Sequence, residues 1–255
     1  MMKVTFLGTA GSVITADKGF PSILIDDSLL LDCGEGTTQK LIQLNALNTI
    51  STICLTHMHG DHYLGISSLL WHLLISRRER ELTILGPPNL EKTIERLLSL
   101  TFLKEGIKAL PFSVLFKELP SPASNKELQG GYLLTYAEVD HTIIAFAYRI
   151  EKDGKVICYS GDTKPTQKLT QLAKKSDLFI CEATFLGRLA SLADQYGHST
   201  PMDAAEMARD ADCQRLALVH LMPVSKEALN ESLTSIKQIF TKEIAIPNDF
   251  STIEL

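Results

Sequence analysis

The chain reads as an α/β protein in which two mixed β-sheets lie face to face with helices on the outside. Two features of the pattern predict this. In each half, short apolar runs come first and strand-like and helix-like segments then alternate. The stretch from Pro120 to Gly131, rich in Pro, Ser, Gly and Asn, falls near the midpoint and reads as a loop joining two similar halves. Size permits it: 255 residues at 45% hydrophobic can bury the core that two sheets require, as one domain over residues 1–255.

In chain order, residues 2–8 form a strand that stops at Gly8, and Thr9 to Pro21 is a loop rich in Gly, Ser and Thr. Residues 22–25 and 29–31 form a hairpin about Asp26-Asp27-Ser28. Asp32-Cys33-Gly34-Glu35-Gly36-Thr37 turns the chain into a helix carrying Leu41, Ile42 and Leu44, and residues 53–56 make the next strand. Ile66, Leu69, Leu70, Leu73 and Leu74 recur at helical spacing to about residue 76. On that helix His72 reads as a packed or surface residue, and Trp71 as a core residue or a contact to a second copy. Arg77-Arg78-Glu79-Arg80-Glu81 reads as a solvated face of mixed charge, with an RNA-facing patch as the lesser alternative. A strand at 82–85 and a helix from Pro87-Pro88 to about 100 complete the first half. The second half offers strands at 132–139, 143–150, 155–159, 177–181 and 215–219, helices at 201–210 and 225–239, and closing runs at 244–246 and 252–254.

Composition narrows the class. Charged residues at 22% exclude a disordered chain, and a net charge of -5 argues against a general nucleic-acid coat while leaving room for a local basic groove. Cys33, Cys54, Cys158, Cys181 and Cys213 are scattered, odd in number and without a CxxC pair. They read as small hydrophobes in a reducing compartment. With no apolar run long enough to span a bilayer, a soluble cytoplasmic protein is expected.

The chemistry concentrates in one stretch. His57-Met58-His59-Gly60-Asp61-His62 packs three of the chain's seven histidines and a carboxylate into six positions, directly behind an apolar run. Imidazole nitrogen with carboxylate oxygen and no thiolate suits zinc or a similar divalent ion, with Mn2+ or Fe2+ as alternatives. His57 and His59 share one direction on an extended backbone, and the turn at Gly60 swings Asp61 and His62 to a neighbouring position. One loop can therefore serve two adjacent metals. The remaining ligands should be His, Asp or Glu in turns straight after strands, and His141, Asp162 and His220 meet that description.

Taken together, these residues resemble the metallo-β-lactamase superfamily, whose fold is an αβ/βα four-layer sandwich. The resemblance implies that His57, His59 and His141 hold one metal, that Asp61, His62 and His220 hold the other, and that Asp162 bridges both. Asp61 would also orient the attacking water. Two ions acidify a shared water to give a metal-bound hydroxide and polarise the bond under attack.

Within the superfamily the chain is similar to the ribonuclease Z branch, endonucleases that trim the 3′ trailer from precursor tRNA. Leu7-Gly8-Thr9, Asp32-Cys33-Gly34-Glu35-Gly36-Thr37, Tyr159-Ser160-Gly161-Asp162-Thr163, Cys181-Glu182-Ala183-Thr184-Phe185 and Gly197-His198-Ser199-Thr200 carry the likeness. It implies that Glu182 raises the pKa of His198, which then protonates the departing oxygen. Thr200, Pro201 and Asp203 form a capping-box-like helix start whose backbone N–H groups are candidates for a substrate phosphate. Members of this branch pair through early helices, so a homodimer is an open possibility.

Two departures bear on the substrate. The family's long tRNA-gripping arm lies between the positions of His141 and Asp162, where this chain has room for two strands and a turn at Asp153-Gly154. The Arg-Tyr pair expected after the last histidine is replaced by Leu221-Met222. Cleavage of tRNA 3′ ends is the first reading. A phosphodiesterase of cyclic or nucleotide phosphodiesters is the alternative, and a lactone or thioester hydrolase a more distant one. A di-iron oxidoreductase would carry glutamate in place of His59 or Asp61, and a scaffold subunit would have lost ligands.

Overall fold

The computed structural model describes residues 1–101, 105–120, 125–128, 130–186 and 189–255. Two seven-stranded sheets carry the chain. The first runs β14-β1-β2-β3-β4-β5-β6, with β1 at Lys3–Gly8, β2 at Ser22–Ile25, β3 at Leu29–Leu31, β4 at Thr52–Cys54, β5 at Leu82–Gly86, β6 at Val114–Glu118 and β14 at Thr252–Glu254. The second runs β13-β12-β11-β10-β9-β8-β7, with β7 at Asn125–Leu128, β8 at Tyr132–Val139, β9 at Ala145–Lys152, β10 at Lys155–Tyr159, β11 at Leu178–Glu182, β12 at Arg215–Val219 and β13 at Glu243–Ala245. Each sheet is antiparallel through three pairings and parallel through the next three.

Local chemistry accounts for this repeat. The antiparallel parts are joined by tight turns at residues that tolerate positive φ: Asp26 and Asp27 (46° and 55°) between β2 and β3, Asp153 and Gly154 (52° and 74°) between β9 and β10. Parallel neighbours need crossovers, and helices supply them. These are α1 (Thr37–Gln43), α3 (Gly65–Ile75) and α4 (Leu90–Thr101) over the first sheet. Over the second lie α5 (Gln167–Leu172), α7 (Pro201–Asp210) and α8 (Lys226–Ile236). The short helices α2 (Gly60–Tyr63) and α6 (Ala190–Tyr196) sit in loops.

Three apolar interfaces hold the layers. Between the sheets, Phe6, Ile23, Tyr136, Phe146, Tyr148, Ile157 and Val219 form the central core. Leu41, Leu69, Leu70, Leu73 and Ile94 pack helices on the first sheet. Leu169, Ala204, Ala208 and Ile236 do so on the second. All five cysteines are free and buried, and burial raises each thiol pKa, as expected of small hydrophobes.

Some sequence expectations need correction. The 120–131 stretch contains strand β7, paired antiparallel with β8 and turned by Gly130 and Gly131 at φ 84° and 76°; residues 121–124 and 129 lie outside the described ones. Strand β9 lies two residues later than expected, from Ala145 opposite Val139 to Lys152 opposite Lys155, because the Asp153-Gly154 turn sets its end. Strand β6 and helices α5 and α6 have no counterpart in the sequence reading. In α5 only Leu169 and Leu172 are buried, too few apolar positions to show a period. Trp71 is half-buried against the outer core of the first sheet, and His72 is exposed.

The 77–81 cluster is not a uniformly solvated face. Arg78 is 5% exposed, and its guanidinium donates to the carbonyls of Asn48, Ile50, Arg80 and Glu81 while lying 5.7 Å over the Phe112 ring. It closes the exit of α3 onto the entry of β5. Arg78→Ala leaves those carbonyls without a donor and should cost on the order of 3 kcal/mol. A fall in thermal midpoint with unchanged metal content is the expected result.

Candidate metal centre

All the sequence-predicted site residues but His198, which lies between α6 and α7, stand at the carboxyl end of a strand or just beyond one. The loop 57–62 follows β4, His141 follows β8, Asp162 follows β10, Glu182 ends β11 and His220 follows β12. Strand carboxyl ends of both sheets share one rim, as in open α/β sheets where ligands bind beyond the strand ends.

Close backbone approach sets the loop. A Cβ on Gly34 would stand 2.4 Å from the Asp61 carbonyl oxygen, and one on Gly65 would stand 2.1 Å from the Gly34 carbonyl. The 32–36 turn therefore lies directly against α2 and the start of α3, tied by Cys33 N–H to the His62 carbonyl (2.8 Å) and Gly65 N–H to the Cys33 carbonyl (3.0 Å). His59 stays extended (φ -76°, ψ 145°) as the N-cap of α2, and the helix then turns Asp61 and His62 to their own positions.

Each ring is oriented from behind. Carboxylate and carbonyl oxygens only accept, so the facing Nδ1 atoms must be the protonated ones. His62 Nδ1 donates to Asp32 Oδ2 (2.8 Å), and His141 Nδ1 to the Gly197 carbonyl (2.7 Å). Thr56 Oγ1 donates to Asp32 and receives His57 Nδ1 (3.0 Å). Thr184 Oγ1 donates to Glu182 Oε2 (2.7 Å) and receives His220 Nδ1 (2.8 Å). The Nε2 lone pairs of all four rings are thereby aimed inward, the tautomer that metal binding requires.

Those lone pairs converge. His59 Nδ1 lies 3.1 Å from both His57 Nε2 and His141 Nε2. His62 Nε2 and His220 Nε2 are 3.4 Å apart, and Asp162 Oδ2 is 3.3 Å from each. Tetrahedral coordination at about 2.0–2.1 Å places donor atoms about 3.3 Å from one another. Asp61 Oδ2 stands 3.6 Å from His220 Nε2, and Asp162 Oδ2 is 3.7 Å from His57 Nε2, between the two groups. Asp162 Oδ1 is buried with no hydrogen-bond partner among the described residues, as an oxygen that faces a cation would be. The donor set fits divalent metal.

Electrostatics agree at His57, His59, Asp61 and Asp162. At His62 burial is outweighed by Asp162 and Asp32, which draw the ring above the imidazole range, so that it would give up a proton to bind metal. Burial, with the charge of His62 beside it, pushes His57 well below the usual imidazole range, and burial with His141 lowers His59. Burial opposes charge on Asp162, but His220, His62 and His57 outweigh it and hold the carboxyl well below its ordinary range. Asp61 moves the same way, burial being overcome by His220 and His62.

Beside this cluster lies a second arrangement. His198 Nδ1 contacts Glu182 Oε1 at 2.9 Å and stands 3.9 Å from Asp162 Oδ2. Glu182 is buried and also accepts from Thr163 N–H (2.7 Å) and the Thr184 hydroxyl. Burial works against the imidazolium of His198, but Glu182 more than compensates and raises its pKa. His198 also falls within ligand reach of His141 and Asp162, and of Glu182 and His220, a proximity the sequence does not disclose.

Helix α7 begins as expected, with Thr200 as N-cap, Pro201 first and a complete capping box to Asp203. Its role as a phosphate cradle is not supported. Asp203 Oδ2 takes the Thr200 N–H (2.8 Å), Thr200 Oγ1 takes the Asp203 N–H, and Pro201 has none to give. A carboxylate already occupies the place an anion would need.

Several supporting residues escape the sequence reading. Asp32 meets the same criterion as Asp162, a carboxylate straight after an apolar run, yet is unassigned there. Tyr159, which donates to Asp32 Oδ2 (2.9 Å), Thr184 and Gly197 lie in the motifs that carry the family likeness, but their roles, like that of Thr56, show only once the strands are assembled. His220 has φ 60°, and the backbone of Gly11 packs on its ring so closely that a Cβ would stand 2.8 Å from Nδ1.

With the site in view, the relatives can be placed. A family model described as a beta-lactamase superfamily domain matches residues 28–221. Ribonuclease Z of Metallosphaera sedula is 30% identical over 297 positions that span 100% of this chain and 99% of that protein. The chain belongs to the ribonuclease Z family. Ribonuclease Z of Archaeoglobus fulgidus is 25% identical across 100% of the chain and 98% of its own length. The crystal structure of human tRNase Z, short form, superposes with a TM-score of 0.82 at 26% identity, covering 99% of this chain and 98% of that one. Fold and family together make the chain a metal-dependent hydrolase, and its His/Asp cluster suggests divalent-metal binding.

Two substitutions test the orientation of the donors. Asp32→Asn removes the acceptor behind His62 and should weaken metal binding about 10–100-fold, read by competition with a chelating dye, with the fold retained by circular dichroism. Gly197→Ala, at φ 75° with a Cβ 3.0 Å from His141 Nδ1, should weaken binding at the His57–His59–His141 group.

Proposed function

We propose that the chain is a dinuclear phosphodiester hydrolase that cleaves RNA at tRNA 3′ ends, with Zn2+ as the resident metal. The observation that carries it is the His198–Glu182 pair set 3.9 Å from the cluster's central carboxylate. A lactone or thioester has a leaving group that departs without much help; a ribose oxygen does not, and needs a proton donor at that place. The relatives' names, ribonuclease Z and tRNase Z, point to the same substrate.

His57, His59 and His141 would hold one ion; Asp61, His62 and His220 would hold the other; and Asp162 would stand between them. When bound, divalent ions acidify a water and polarise a phosphoryl oxygen. The chain's own residues do the rest. Asp61, at 12% side-chain exposure, is open enough to orient the attacking water and accept its proton at Oδ2. His198 keeps Nδ1–H on Glu182 Oε1, and its Nε2–H is the proton delivered to the departing oxygen. Nitrogen and carboxylate ligands without thiolate favour zinc. Five buried free thiols fit a reducing compartment, the cytoplasm. No helix of the described residues is long and apolar enough to cross a membrane.

Between His141 and Asp162 the chain holds only β9, the Asp153-Gly154 turn and β10. The alignment with the Metallosphaera protein runs over 297 positions against 255 residues here, so at least 42 fall in gaps of this chain. RNA is therefore gripped by the body of the fold. A homodimer through the early helices would extend that surface, with exposed Leu64 and Ile75 flanking Trp71 at such a contact.

The deciding assay gives the zinc-loaded protein a precursor tRNA with a 3′ trailer beside an aryl phosphodiester. Trailer removal is expected; turnover of the small ester alone, at every salt concentration, would make the protein a small-molecule phosphodiesterase. His59→Ala and Asp162→Ala should each lose the metal and nearly all activity, as should treatment with a chelator. His198→Ala should lose about 10²–10⁴-fold on RNA and much less on an activated aryl ester. Equal losses on the two would remove His198 as the proton donor.

A further inference from the structure

Two aromatic rings stand beside the proton donor, outside all three apolar cores. Phe185 follows Thr184 just past the end of β11, and Tyr196 is the last residue of α6, from which Gly197 turns the chain to His198 at φ 75°. Their ring centroids are 6.1 Å apart at 32°, and Phe185 meets His198 edge to face at 5.7 Å. Tyr196 is 50% exposed, and no hydrogen bond to its hydroxyl is found among the described residues. Phe185 is partly buried yet outside the cores, and folding gains little from the half-exposed ring of Tyr196, so its position calls for another account.

Resting on the RNA reading above, we infer that Phe185 and Tyr196 form a stacking platform for the base of the nucleoside that carries the leaving oxygen. The proton donor fixes the location: the oxygen receiving the proton from His198 must lie beside that ring. Its own nucleoside is then within reach of Phe185, one ring away. Neither side chain reads a base edge through paired donors and acceptors, so the platform takes any base, but it requires one that is unpaired and free to leave its stack. The protein therefore selects a single-stranded nucleotide on the leaving side of the cut, with little regard to its identity. This supplies part of the grip on RNA that an arm would otherwise give.

Two RNA substrates identical except at that nucleotide, one with its base and one abasic, test the inference. The wild-type kcat/KM should fall about 5- to 150-fold on the abasic RNA, the range expected for one stacked base. In Tyr196→Leu the ratio between the two substrates should shrink, and in Phe185→Leu with Tyr196→Leu it should approach one, whatever the absolute rates. Equal cleavage of the two RNAs by the wild type overturns the platform. A protein that cuts neither RNA overturns the ribonuclease reading instead, and binding then decides the platform separately. An oligonucleotide carrying 2-aminopurine at that position should lose emission on binding the wild type and keep it with the double variant. Binding without any change in emission refutes stacking.

Discussion

A fully buried carboxylate ties the two sheets to the metal cluster. Asp32 stands at the end of β3 and accepts from the Thr56 backbone N–H beyond β4 (2.8 Å), from the Tyr159 hydroxyl at the end of β10, and from His62 Nδ1. Left without partners, such a carboxylate would cost several kcal/mol; satisfied, it fixes three segments at one point. Its backbone sits at φ 56°, a conformation aspartate tolerates better than most residues but which still needs support from its surroundings. The close crossing of Gly34 with Asp61 and of Gly65 with Gly34 belongs to the same constraint, because only residues without a Cβ let the turn come near enough for Asp32 to reach His62.

From that point the arrangement of the site follows. Four rings have their Nδ1–H groups committed outward, to Asp32, Thr56, Gly197 and Thr184, so their Nε2 lone pairs face one another at 3.1–3.7 Å from neighbouring donors. His62 is the exception, its burial outweighed by Asp162 and Asp32, which draw it above the imidazole range, so a cation bound here would displace its proton and relieve the crowding of the other donors. Thr184 has a particular place in the network: one hydroxyl links Glu182, the carboxylate behind His198, to the ring of His220, so the His198–Glu182 pair and the His/Asp cluster are oriented together.

The body of the enzyme has to grip RNA with fewer residues than its alignment with the Metallosphaera relative spans, 255 against 297 positions. The hairpin between His141 and Asp162 is closed by a two-residue turn, and the net charge of -5 gives no general attraction for RNA. Recognition close to the cut therefore carries more weight. An aromatic platform suits that need, because stacking does not depend on net charge and works at one nucleotide.

The sequence by itself determined the fold class, the family and the cluster's donors. Strand and helix periods survive in local composition, and a run such as His57 to His62 has few uses other than metal. It also gave the helix start at Thr200–Asp203, since a capping box is local chemistry. Tertiary structure alone decided what the donors face. Asp32, Tyr159, Thr184 and Gly197 sit in motifs that carry the family likeness. Their bonds to Thr56, to one another, to His220 and to His141 span 24 to 127 residues of chain, and local pattern does not show such partners. Arg78 sat in a charge run that resembled surface and proved to be a buried clasp, because its four acceptors come from backbone on either side of it. The capping box, read as a phosphate cradle, proved to be filled by its own Asp203. Residue types fix which chemistry is available; which atom meets which depends on how far-apart strands are brought to one rim.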